Sequence, residues 1–335
     1  MNNMNDIISF FSSHWLIIAL MAPMFWSLVN IIDVYFVDGI YKDELDGTII
    51  SGLFQIVPWL VLVFLVNIDF HSIINFKTPG NTWGSNNILI LSFIGGTIYI
   101  LGIYFYFKAL FHYNDAPLLQ ILANLTVIAV PILSFLIFRE KLPLLRYTGM
   151  AITFVGAIML SFSPHLRKRF SSKYIKIMLG AVLLFSLSMI LEDRAYNLLG
   201  ESYGKQGFWA GFLFFNLGAF AGALLLAFYF RRNPLPTIRK YYKIFFLGEG
   251  LYFSGTLFFQ RAIDAAPYVS YVAVIETFGP VFIVFYSLII MFLSPFILQR
   301  KSETIKRIYS EQLNGIWVKV FATVIMAIGV YIISF

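Results

Sequence analysis

The chain has 335 residues, of which 59% are hydrophobic and only 12% charged, with a mean hydropathy of +0.81. A soluble protein needs about 25% charged residues to cover its surface, so these figures exclude two ordinary soluble domains and put lipid against most of the molecule. Cysteine is absent, which removes disulfides, thiolate metal sites and cysteine nucleophiles, and a net charge of +7 is too thinly spread for a nucleic-acid surface.

A membrane-crossing helix needs about 20 mostly apolar residues, and open strands cannot cross because lipid offers their backbone no partners. In chain order, ten segments meet that need: 14–36, 48–68, 86–107, 117–138, 143–162, 175–197, 206–230, 241–263, 267–293 and 316–335. The first lacks a preceding basic residue and a small-residue cleavage site, so it reads as a span rather than a cleaved signal peptide. Long unbroken runs also argue against an outer-membrane barrel. The expected class is an all-α integral membrane protein in a bacterial inner membrane. Two connections are long: 69–85, with Pro79-Gly80-Asn81, and 294–315, where Ile305, Ile308 and Leu313 share a helical face opposite Lys306, Arg307 and Glu311. The second reads either as an amphipathic surface helix or as a solvated linker.

The chain repeats itself. At an offset of 153, Gly95, Tyr99, Gly102, Phe105, Lys108 and Ala109 meet Gly248, Tyr252, Gly255, Phe258, Arg261 and Ala262. At an offset of 159, Ser27, Asp33 and Gly52 meet Ser186, Glu192 and Gly211. The fourth and ninth spans both open on Ala-Pro and carry a second proline, Pro131 or Pro280. The fifth and tenth match through Gly156 and Gly329 and end on Ser-Phe. Residues 14–162 and 175–335 therefore read as two five-helix repeats, the second interrupted by 294–315. Five is odd, so the second copy enters the membrane from the opposite side. Inverted repeats of this kind hold a site near the midplane between the halves.

The stretch running through Ala109, Ala116-Pro117, Pro131, Arg139-Glu140-Lys141-Leu142, Gly149 and Gly156 resembles the EamA domain, the repeat unit of the drug/metabolite transporter superfamily. The second copy departs from it by lacking an equivalent of Glu140 and by the 294–315 insertion. The resemblance implies a ten-helix carrier of small organic solutes, often an exporter, with no fixed substrate.

An ionisable group inside a span costs at least about 2.5 kcal/mol and so asks for a reason. Glu276 stands one turn before Pro280, which frees a backbone carbonyl beside it. It reads either as a proton- or ammonium-binding carboxylate or as a protonated acid bonded to a neighbouring helix. Glu249, Tyr252, Thr256 and Gln260 draw a polar stripe along the eighth span. Gln120, Asn124, Pro131 and Ser134 do so along the fourth. Both stripes suit a water-lined path or an interhelical seam. Asn30 with Asp33, and Glu192 with Asp193 and Arg194, sit nearer helix ends. Lys108 and Arg261 either snorkel to headgroups or clamp an anionic substrate, with Asp33 and Glu192 as possible charge partners. Trp26, Trp59, Tyr99, Trp209 and Tyr252 are candidates for stacking on a flat substrate.

Of the 24 Lys and Arg residues, all but Lys77, Arg139, Lys141, Arg146, Arg194, Lys205 and Arg261 fall on one side of the ten-span layout. That bias places both termini outside, whereas the family resemblance implies both inside. No GxxxxGK[ST] motif is present, the four histidines (His14, His71, His112 and His165) are scattered, and the carboxylates are dispersed. No metal or other cofactor and no enzymatic reaction is therefore expected. The expected function is secondary transport of a small metabolite such as an amino acid or amine, most simply exported in exchange for protons. The partners are then substrate, protons and lipid, and oligomerisation is not required. The competing readings are a nucleotide-sugar or organic-anion carrier, which would need Lys108 and Arg261, and a membrane enzyme or non-transporting membrane protein with the same fold.

Overall fold

A computed structural model describes residues 14–65, 88–113, 119, 122–161, 172–297, 313 and 315–334. Gln120, the Ala116-Pro117 pair, the 69–85 connection and most of the 294–315 insertion lie outside the described residues.

Among the described residues the chain is helical and contains no strand. The helices are α1 (Trp15–Gly39), α2 (Glu44–Phe54), α3 (Val57–Leu65), α4 (Ile88–Tyr113), α5 (Thr126–Phe138) and α6 (Leu144–Ser161). They continue with α7 (Ser172–Tyr203), α8 (Lys205–Tyr229), α9 (Leu235–Ala265), α10 (Val269–Glu276), α11 (Gly279–Ile297) and α12 (Ile316–Ser334). Every predicted span is helical over most of its described residues, but the ten differ in their fitness to cross lipid. Seven stretches are long and apolar enough: Trp15–Gly39, Glu44–Leu62, Ile88–His112, Ile175–Glu201, Lys205–Tyr229, Val269–Phe292 and Ile316–Ser334. The α5 and α6 segments are apolar but shorter. Helix α9 is long, but Arg239, Lys240, Lys243, Glu249, Arg261 and Asp264 dilute it. The molecule is an all-α, multi-pass membrane protein.

Helix α12 shows why. Ala322, Met326, Gly329, Val330 and Ile333 recur at helical spacing and are buried. Trp317, Phe321, Val324, Ile328 and Tyr331 on the other faces are exposed yet equally apolar. In water such a surface aggregates; in hydrocarbon it is solvated.

Three of the predicted spans are broken rather than continuous. The second parts at Gln55-Ile56, where Gln55 N–H reaches only to the Gly52 carbonyl at 3.2 Å, and Pro58 then starts α3. The fourth parts at Asn124-Leu125, where Leu125 N–H bonds the Leu122 carbonyl at 3.1 Å. The ninth parts at Thr277-Phe278, with Thr277 N–H on the Val274 carbonyl at 3.2 Å and Pro280 one residue into α11. Asn124 and Thr277 are separated by the repeat offset of 153.

The helices pair closely as α4 with α7 and α8, α9 with α1, and α6 with α12. At the α6–α12 contact a Cβ on Gly156 would stand 2.6 Å from Met326 Cγ and 2.9 Å from the Ala322 carbonyl oxygen. A Cβ on Gly329 would stand against Thr153 Oγ1 and 2.6 Å from the Gly149 carbonyl oxygen. Only glycine at both positions lets the backbones approach so far. The two contacts are the same contact viewed from each side, because Thr153 and Met326 are separated by the Gly156–Gly329 offset of 173.

The α2 start is fixed polar-side. Asp43 caps it by accepting from Leu45 N–H and Asp46 N–H, both at 3.1 Å, and pairs with Arg232 from the α8–α9 turn. Asp43→Ala is expected to lower stability by about 1 kcal/mol through the lost cap, read as a lower midpoint of thermal unfolding in detergent. Arg232→Gln should cost less than half as much, since both partners are a third exposed and solvent weakens the pair. Equal losses from the two variants would contradict this division.

Candidate functional site

Where α1, α2, α4 and α9 converge they leave an enclosed cavity of about 20 Å³, the room of a single water molecule on a scale where one probe sphere is ~10–15 Å³. Its floor and walls are apolar: Val29, Ile32 and Phe36 from α1, Ile103 and Phe107 from α4, and Gly248 from α9. Its polar groups are Asp33, Ser51, Tyr106, Glu249 and Tyr252. No Lys, Arg or His lines it. Two carboxyl groups therefore face one small, water-poor space with no basic group among its lining residues, a costly arrangement unless a proton or a cation shares it.

The polar groups are linked. Ser51 Oγ donates to Glu249 Oε2 at 3.5 Å, at the long limit of a hydrogen bond. Tyr106 OH donates to Asn30 Oδ1 at 3.2 Å. Tyr252 OH donates to Tyr99 OH at 2.5 Å, and these two tyrosines are the pair matched by the repeat offset of 153. The tyrosine pair thus joins α9 to α4 at positions one sequence offset apart. Tyr99 lies within electrostatic reach of Glu276, Asp33 and Glu249 together.

Glu276 ends α10 at the break in the ninth span, where its Oε2 is buried without a hydrogen-bond partner. The break is held from α1, since Ser27 Oγ donates to the Pro23 carbonyl at 2.5 Å and to the Gly279 carbonyl at 2.8 Å. Asn124 stands at the matching break of the fourth span, buried, with Nδ2 unpartnered. Both residues thus sit at helix discontinuities.

The α9 stripe faces the protein interior throughout: Glu249, Tyr252, Thr256 and Gln260 are all buried. Its halves differ. Glu249 and Tyr252 line the cavity, Thr256 keeps an unpartnered hydroxyl, and Gln260 Oε1 accepts from Tyr196 OH at 2.9 Å in a seam with α7.

Three expected charge groupings are not formed. Lys108 turns back on its own helix, with Nζ donating to Tyr104 OH at 3.2 Å. Arg261 pairs with Asp264 one turn on and lies 5.2 Å over the Phe208 ring. Neither pairs with Asp33 or Glu192, because each is engaged by a neighbour on its own helix. Glu192 itself is fully buried, its carboxylate against Gly95, with Ser92 and Tyr196 as polar neighbours but neither in bonding geometry. Among the tryptophans, Trp26 packs 4.8 Å from Phe259 and Trp59 donates to the Leu213 carbonyl at 2.5 Å, while Trp209 packs on Phe208 and Phe212. These are packing roles.

Ser51 and Tyr106 join the cavity without having been singled out in the sequence. The signal for Ser51 was present: Gly47, Ser51 and Gln55 recur every four residues and form a small-and-polar stripe on the second span. Tyr106 lies in a run of aromatics with no such contrast. Glu140, the residue carrying the family resemblance, closes the end of α5. It accepts a hydrogen bond from Ser134 Oγ, and Arg139 takes the left-handed φ of 59° that turns the chain.

No family model matches the chain, and no curated protein matches it. Twenty-seven chains of solved structures do. One, a crystal structure described only as that of a protein, is similar over 95% of this chain and 95% of its own, with a TM-score of 0.58 and 15% identity. At that identity the likeness concerns the fold alone.

Proposed function

We propose that the protein is a secondary active transporter of the drug/metabolite type, built as ten helices in two inverted five-helix repeats, 14–162 and 175–335. Three observations support the repeat: the Tyr99–Tyr252 contact across an offset of 153, the α6–α12 contact across an offset of 173, and the breaks at Asn124 and Thr277. The observation that carries the function is the enclosed cavity bounded by Asp33 and Glu249 near the tyrosine pair. Inverted repeats place a substrate site there and expose it to alternate sides. The cavity's sign then selects the cargo. Two carboxylates, aromatic walls and no basic group suit an ammonium group, with the proton as the ion that replaces it; at about 20 Å³ the cavity takes that group alone, and the rest of an amine or amino acid enters only as the surrounding helices part. An anionic cargo would need Lys108 or Arg261, and both are turned elsewhere.

The test is reconstitution into liposomes with solute-triggered currents recorded on a solid-supported membrane, over a panel of amino acids, polyamines, quaternary cations and nucleotide sugars. Currents are expected from the ammonium-bearing solutes. A response confined to nucleotide sugars, or product formation in the absence of any gradient, would sink the reading. Lys108→Gln and Arg261→Gln are expected to leave transport within about twofold of the parent, since neither touches the cavity. A tenfold or greater loss in either would restore the anion reading.

A further inference from the structure

The outer face of α9 carries a cluster of charge that transport through the cavity does not use. Arg231, Arg232, Arg239, Lys240 and Lys243 fall close together, and no Asp or Glu occurs between positions 228 and 247. Arg232 is engaged by Asp43. Arg239 and Lys240 are exposed and, with Asn233, Leu235 and Pro236, line an open cleft of about 510 Å³ at the α8–α9 turn. The lysines lie flat on neighbouring rings, Lys240 Nζ at 4.8 Å from the Tyr241 centroid and Lys243 Nζ at 5.9 Å from that of Tyr242. Their charge is thereby held at the surface rather than spread into solvent.

Further along the same helix the exposed surface becomes apolar. Tyr242, Phe246 and Leu247 are 57%, 72% and 59% exposed, and across the turn Phe228 and Tyr229 are 85% and 79% exposed. Between the two patches Tyr241 leaves helical geometry at φ -115° and ψ 20°, so α9 is kinked there, with its basic first segment on one side and the apolar stretch from Tyr242 on the other. An exposed basic segment followed by an exposed apolar one matches the passage of a bilayer from phosphate to acyl chain, with interfacial tyrosines between. Phe246 and Leu247 are therefore solvated by lipid tails, and the basic cleft stands at headgroup level. We infer that the cleft formed by Asn233, Leu235, Pro236, Arg239 and Lys240 binds the headgroup of an anionic phospholipid, whose acyl chains lie along Tyr242, Phe246 and Leu247. Basic pockets at helix ends recognise such headgroups by charge.

The experiment is native mass spectrometry of the full chain, delipidated in detergent and incubated with phosphatidylglycerol or phosphatidylcholine. The parent should retain phosphatidylglycerol about tenfold over phosphatidylcholine, and Arg239→Gln with Lys240→Gln should bring that ratio close to one. Arg139→Gln with Lys141→Gln, removing equal charge at the exposed α5–α6 turn, should leave it unchanged. Equal retention of both lipids by the parent overturns the inference, as does a preference that survives the 239/240 double substitution. So does competition in which inorganic phosphate alone displaces the lipid, since the site would then be one for free anions. Both substitutions lie on exposed side chains, and an unchanged thermal midpoint shows that the fold is kept.

Discussion

Glu249→Gln is expected to reduce substrate-driven current by about a hundredfold while leaving the protein folded. Glu249 is buried, lines the cavity, and has only the long Ser51 contact to hold its carboxylate. Removing the charge from one partner of a buried ion pair costs about 3–5 kcal/mol of binding, which corresponds to about two to three and a half orders of magnitude in affinity. The amide keeps the shape of the acid and still bonds Ser51, so packing survives. The pH dependence has a definite sign. Proton and ammonium compete for the same carboxylate, so substrate affinity should strengthen as pH rises and weaken as it falls. An anion carrier relying on protonated acids would show the reverse. Glu276→Gln tests a different part of the machine. Glu276 sits at the α10–α11 break rather than on the cavity wall, so the expected loss is in current with affinity retained. If Glu249→Gln keeps half or more of the parent current, the cavity is not the transport site.

The sequence made the helices legible because lipid selects for composition, and composition needs no knowledge of neighbours. It also made legible one of the three breaks, since Pro280 announces it. The break at Asn124-Leu125 has no adjacent proline; Pro131 lies inside α5 and interrupts nothing visible there. Only the offset to Thr277 connects it to a position where the cause is plain. The α9 stripe was readable as an interior face, but its division between cavity and α7 seam was not. That depends on which helix stands opposite each turn. The pairing of Asp33 with Glu192 shows the same limit. One sequence offset relates them, yet Gly248 opposes Ile32 and Phe36 while Gly95 opposes the Glu192 carboxylate. Asp33 is left facing the cavity and Glu192 is sealed away. Positions one sequence offset apart meet different partners here.

That difference between halves has a second measurable consequence, at Gly96 and Gly218. A Cβ on Gly96 would fall on the Phe215 carbonyl oxygen and 2.8 Å from the Ala219 nitrogen. A Cβ on Gly218 would fall on the Phe93 carbonyl oxygen and 2.9 Å from its Cα. The obstacles are backbone atoms, which cannot rotate aside, and Thr97 Oγ1 bonded to the Gly218 carbonyl at 3.1 Å pins the same seam. Gly96→Val or Gly218→Val must therefore push α4 and α8 apart. The expected destabilisation is more than about 3 kcal/mol, at or beyond the upper end for overpacking, seen as loss of the monodisperse protein in detergent. Gly250→Ala provides the contrast. Nothing lies within 4 Å of its Cβ, and a helical Gly→Ala change stabilises by about 0.5–1 kcal/mol. Tolerance of valine at position 96 would show that the seam is loose. The residue matched to Gly96 by the offset of 153 is Glu249. Where α4 closes on α8 through glycine, α9 meets α2 only lightly, and the space that glycine gives up on one side is occupied on the other by a carboxylate and a cavity. A glycine seam has no chemical group whose state can change. The α9–α2 seam has one, so under the proposed transport function a proton or an ammonium group arriving at Glu249 would alter the cost of closing that side alone.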